Sequence, residues 1–184
     1  MYSYAQPHKT CDLLLTCPCP YRNSCYSNYY YANQRRCFMK FYNRENEIQL
    51  LQDIRDSSES SAKMTFIVGR RRIGKTTLIK ESYKKGKFIY LFVSKKNEVL
   101  LCEEFIDSIK ATTDIKFFGD FTKFKDLFSF LMEVSKKEPS TLVIDEFQEF
   151  AKINSSIYSD MQNIWDSNKN TSKMNLVLSG SIFS

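Results

Sequence analysis

The sequence predicts an α/β fold, a central parallel sheet sandwiched between helices, and three observations carry the prediction. From Met39 onward, short apolar runs alternate with segments of helical period. One run, Thr65-Phe66-Ile67-Val68, leads directly into Gly69-Arg70-Arg71-Arg72-Ile73-Gly74-Lys75-Thr76, the pattern G-x-x-x-x-G-K-[ST] between a strand and a helix. Another, Leu142-Val143-Ile144, ends in the adjacent carboxylates Asp145-Glu146.

The elements follow in order. Asn43 is an N-cap candidate, and Ile48, Leu51 and Ile54 recur at helical spacing through about Arg55, before the polar loop of residues 56–62. Thr65–Val68 is continuously apolar, as a strand buried on both faces reads, and is expected at the centre of the sheet. A second helix runs from about Lys75 to Lys85 with Leu78, Ile79 and Tyr83 inward, stopping at Gly86. Phe88–Val93 is the next strand. Leu101, Phe105 and Ile109 mark a third helix, and Phe124, Leu127, Phe128, Leu131 and Val134 a fourth. After Leu142–Ile144, Ile157, Met161 and Trp165 share a face of a fifth helix, and Leu176-Val177-Leu178 is the last strand, followed by Ser179-Gly180-Ser181. Cys102 reads as a core residue, and Lys84, Lys85 and Lys87 as solvated surface.

The 184 residues suffice for one well-packed domain, and five of the six cysteines and seven of the eleven tyrosines precede residue 38, which sets a boundary there. Residues 1–38 show no helical or alternating period and read as a disordered or non-native extension, with 39–184 as the core. Zinc is disfavoured because Cys11, Cys17, Cys19 and Cys25 lack C-x2-C spacing, and disulfides conflict with a cytoplasmic location. A net charge of +6 without a long basic stripe permits a nucleic-acid partner but does not indicate one. There is neither an apolar stretch of membrane-spanning length nor a signal-peptide core, so a soluble, cytoplasmic protein is expected.

The segment Gly69–Thr76 reads as a P-loop. Glycines let successive N–H groups turn toward a phosphate at the positive end of the following helix. Lys75 would reach the β- and γ-phosphates, and the Thr76 hydroxyl would ligate Mg²⁺. Asp145-Glu146 looks like a Walker B pair: Asp145 would hold the Mg²⁺ shell and Glu146 would polarise the attacking water. A hydroxyl of Ser179 or Ser181 could contact the γ-phosphate or that water, although a plain strand-to-loop turn explains the segment equally well.

Phe41-Tyr42-Asn43-Arg44-Glu45, the P-loop, Val143–Gln148, Trp165-Asp166 and Leu178–Ser181 together resemble the prokaryotic AAA-type ATPases often called archaeal ATPases, over residues 39–184. The resemblance implies a P-loop NTPase three-layer sandwich of the additional-strand type that binds and hydrolyses ATP with Mg²⁺. It places Gly69, Arg70, Arg71, Arg72, Ile73, Gly74, Lys75, Thr76 and Thr77 at the phosphates, Tyr42 and Arg44 near the adenine, and Ser179 or Ser181 at sensor 1. Members usually continue into a helical lid and further domains, so the chain reads as truncated after the sensor 1 strand, with the lid missing.

Three functions compete: ATP hydrolysis, a nucleotide-responsive switch or fragment with little turnover, and a DNA-associated role prompted by Arg70-Arg71-Arg72. A GTPase is disfavoured because Asn168-Lys169-Asn170-Thr171 lacks the aspartate of a guanine site. A homo-oligomer or protein partner is left open.

Overall fold

The computed structural model describes residues 44–117 and 119–182. The expectation for residues 1–38, the Asn43 cap and Tyr42 lie outside the described residues.

Four strands, β1 (Lys63–Gly69), β2 (Ile89–Phe92), β3 (Ser140–Asp145) and β4 (Met174–Ser181), form a parallel sheet in the order β1-β4-β3-β2. The last strand in sequence is thus inserted between the strand that feeds the P-loop and the strand that carries the carboxylates. The helices are α1 (Glu45–Ser57), α2 (Lys75–Tyr83), α3 (Glu98–Thr112), α4 (Phe124–Lys137), the short α5 (Phe150–Ile153) and α6 (Ser156–Asn168).

Side chains alternate across the sheet, so each strand feeds two cores. On one face Leu51 of α1 and Leu78, Ile79 and Tyr83 of α2 pack on Val143 and Val177. On the other, Leu101 and Phe105 of α3, Phe124 and Leu131 of α4, Phe150 of α5 and Ile157 of α6 pack on Leu91, Leu142, Ile144, Leu176 and Leu178. Three layers result, as expected. The second core is the aromatic one: Phe124 meets Phe105, Phe128 and Phe150 at ring-centroid distances of 5.8, 6.1 and 4.7 Å. Cys102 lies fully buried among these groups, and burial pushes its thiol up to about 12.

Four local expectations need correction. First, β1 is not central: among the described strands it pairs only with β4, and Phe66 and Val68 are 60% and 57% exposed on the face away from α1 and α2. An apolar run shows that a strand is hydrophobic on both sides, but its rank in the sheet is set by strands distant in sequence. Second, α1 continues through Ser57 into what read as loop, and Arg44, without a side-chain capping bond, occupies the position before its first turn. Third, Ser179-Gly180-Ser181 does not follow β4 but forms its last three residues, because Ile67, Val68 and Gly69 of β1 pair with them. Finally, the chain after β3 makes a 3-10 turn, Phe147–Glu149, and then α5, neither of which has a periodic signature.

Candidate functional site

The site is built where three strands end. β1 delivers Gly69, β3 delivers Asp145 and β4 delivers Ser179 and Ser181, all at the carboxyl edge of the sheet, where ligands of open α/β folds bind. Alternation sends Asp145, Ser179 and Ser181 to the face of Val143 and Val177, the face that α2 covers.

Between β1 and α2, residues 70–74 form the turn. Arg72 adopts φ 64° and Gly74 φ 86°, left-handed conformations that bend the loop back and cap α2. Glycine adopts this region freely, whereas a side-chain residue such as Arg72 is strained there. The loop closes on itself: a Cβ at Gly69 would collide with the Ile73 side chain. Arg44 Nη2 donates to the Ile73 carbonyl at 3.2 Å, tying the start of α1 to the loop.

Lys75, only 7% exposed, sends its amine back under the loop, donating to the carbonyls of Gly69 (3.1 Å) and Arg70 (3.0 Å) and to Ser181 Oγ (3.2 Å). Thr76 Oγ1 donates to Asp145 Oδ2 at 2.8 Å, bringing together the two residues expected at a metal. Ser181 Oγ donates to Glu146 Oε1 at 3.0 Å. Glu146 has φ 55° and ψ 39°, a second strained residue that ends β3 and starts the 3-10 turn.

Two participants carry no role that the sequence assigns. Tyr90 of β2 donates its hydroxyl to Asp145 Oδ2 at 2.6 Å. It reads only as one more residue of an apolar run, and its contact depends on β2 pairing with β3. Gln148 donates through Nε2 to Glu146 Oε2 and accepts the Ser181 N–H at Oε1, 3.3 Å away. Its signal is its place in Asp145-Glu146-Phe147-Gln148, although sequence reasoning gave it no role.

Burial of Asp145 opposes its charge, but hydrogen bonds from Tyr90, Thr76 and the Glu146 N–H outweigh it, holding the carboxyl below the ordinary aspartate value. Burial and this carboxylate together push the Tyr90 phenol upward. Ser179 Oγ is itself buried and makes no hydrogen bond. It offers a polar atom to a ligand or water beside Asp145.

A cavity of about 480 Å³ opens above these groups, lined by Arg71, Arg72, Gly74, Lys75, Thr76 and Thr77 on one side and Glu146 and Ser181 on the other. Gly69, Arg70, Ile73 and Asp145 adjoin it through the contacts given above; Arg44 touches the outer side of the loop. A larger cavity, about 750 Å³, lies at the opposite ends of β2 and β3 among Lys87, Phe130 and Lys137, away from every candidate residue.

Residues 41–183 match the family described as an ATPase domain predominantly from Archaea. The chain belongs to this archaeal-type ATPase family. It is 27% identical over 146 residues to an uncharacterized protein of Methanocaldococcus jannaschii, a match covering 78% of the chain and 30% of that relative. Among solved structures, the fold is similar to Cdc6p from Pyrobaculum aerophilum, with a TM-score of 0.54, 15% identity and coverage of 82% of this chain and 42% of that one. It is also similar to the Walker-type ATPase PABY2304 of Pyrococcus abyssi, with a TM-score of 0.55, 16% identity and coverage of 76% and 45%. The chain thus spans less than half the length of each, and the structural likeness concerns the fold alone.

Proposed function

We propose that this archaeal-type ATPase domain binds ATP and Mg²⁺ at the P-loop and hydrolyses the terminal phosphoanhydride, with Glu146 polarising the attacking water. The observation that carries the reading is the direct contact of Thr76 Oγ1 with Asp145 Oδ2 at 2.8 Å, beside a buried lysine and a second carboxylate that meet at Ser181.

The donors suit a magnesium ion. A hydroxyl and a carboxylate are hard oxygen ligands, few enough to leave room for phosphate oxygens and water. Thr76 and Asp145 would hold the ion, which supplies charge neutralisation at the phosphates when bound. Gly74 and the N–H groups of Lys75, Thr76 and Thr77 open α2 with its positive end toward the cavity, where an anion is favoured. Lys75 exchanges the Gly69 and Arg70 carbonyls for phosphate oxygens, a stronger charge-assisted partner. Released from Lys75, Ser181 keeps Glu146 at the cavity wall. Ser179, with an unused hydroxyl, is placed to steady a water near Asp145.

A second reading, a nucleotide-responsive switch with little turnover, draws support from the way the site is held closed on itself. Lys75 has three protein acceptors and Glu146 is bonded at both oxygens. Turnover of Glu146→Gln separates the two. Hydrolysis through Glu146 requires a loss of about 10²-fold or more in kcat with ATP affinity retained, within the range of general-base contributions. Parent-level turnover in the variant would remove Glu146 from the chemistry.

A further inference from the structure

The chemistry proposed above leaves Gln148 without a role, yet its side chain bonds both Glu146 and Ser181, two residues that line the cavity. The 3-10 turn Phe147–Glu149 starts from the left-handed backbone of Glu146 and returns the Gln148 side chain over the end of β4. Its Nε2 donates to Glu146 Oε2 and its Oε1 accepts the Ser181 N–H at 3.3 Å. The side chain crosses Gly180 so closely that a Cβ there would lie 2.9 Å from Oε1. Ser181 Oγ takes the other carboxylate oxygen, Oε1, at 3.0 Å.

The partners dictate the amide. A carboxylate only accepts and a main-chain N–H only donates, so one residue must present a donor and an acceptor a fixed distance apart. Glutamate at 148 would set two carboxylates against each other, and an aliphatic side chain would leave both partners unpaired. Glu146 itself sits at the end of a strand on a strained residue, with side-chain torsions that nothing else among the described hydrogen bonds restrains. One donor on each oxygen fixes the plane of the carboxylate, and both donors are anchored to β4.

We propose that Gln148 is a positioning residue for hydrolysis, which sets the orientation of the Glu146 carboxylate against Ser181 so that it meets the attacking water in a productive geometry. The proposal rests on the reading of Glu146 as the water-polarising group. A misplacement of about 1 Å at a reacting group can cost about 10²-fold in rate, which is the scale on which loss of this clamp acts.

The test uses the full chain with Gln148→Met, which keeps length and packing but has no amide, and Gln148→Glu, which keeps shape but repels Glu146. Single-turnover ATP hydrolysis and ATP affinity are measured for each variant alone and combined with Glu146→Gln. The expected result is a kcat lower by about 10- to 100-fold in both variants, with ATP affinity within about threefold of the parent and no further loss when either is added to Glu146→Gln. Parent-level kcat in both variants, or a loss that multiplies undiminished in the Glu146→Gln background, overturns the positioning role while leaving the hydrolysis reading intact. Parent-level turnover in Glu146→Gln alone, or no turnover by the parent chain, overturns the hydrolysis reading and this role with it.

Discussion

Tyr90 and Gly180 show how much of the site depends on single atoms. The Tyr90 hydroxyl is one of the donors that keep a buried Asp145 ionised, and Tyr90→Phe removes it without changing shape. A hydrogen bond to a charged group is worth about 1.5–3 kcal/mol, and a loss of stability in that range at neutral pH is expected from denaturant titration. The pH dependence follows from the sign of the shift. Asp145 titrates lower in the fold than its ordinary value of about 3.9, so its contribution is complete above that pH and disappears as pH falls through the lower folded value. Tyr90→Phe moves the folded value back up, and the variant should lose less additional stability on acidification below about pH 4 than the parent does. A steeper acid loss in the variant would contradict this account. Gly180→Ala is the complementary case: its Cβ displaces a flexible amide rather than backbone, so the melting temperature should hold while kcat falls as it does for Gln148→Met. An unchanged kcat would show that Gln148 can move without consequence.

Among the elements, α4 and β1 behave in opposite ways. Phe124 begins α4 fully buried against three other rings, and Phe124→Ala should cost about 3–5 kcal/mol, measured by chemical denaturation. β1 exposes Phe66 and Val68 beside an edge that pairs with no other strand among the described residues, a combination that invites strand-to-strand association. Replacing Phe66 with Lys should reduce self-association in light scattering and leave the melting temperature close to that of the parent. A large drop in melting temperature would mean that Phe66 is packed. The contrast also marks what the sequence can disclose. Phe124, Leu127, Phe128 and Leu131 repeat at helical spacing, so both α4 and its buried face were legible. The apolar run of β1 revealed a strand but not its place at the edge, because that place is decided by β4, more than a hundred positions later in the chain.

For the molecule as a whole, the three layers and the loop between β1 and α2 follow from local pattern, because glycines, a lysine and a hydroxyl at fixed spacing carry their chemistry wherever a strand meets a helix. What local pattern does not carry is the convergence. Tyr90, Asp145, Ser181 and Gln148 come from three strands and a turn, and only the order β1-β4-β3-β2 brings them together at the carboxyl edge of the sheet. The same order lets Lys75 hold the loop to Ser181, and under the proposed function a phosphate would compete for that amine. A nucleotide site at this convergence is probed by the Mg²⁺-dependent ATP affinity of the full chain, compared with Lys75→Ala. Saturable binding by the parent and a loss of about 10-fold or more in the variant are expected, the size of one charge-assisted phosphate contact. Equal affinity in both proteins, or no binding by a folded parent chain, would contradict it.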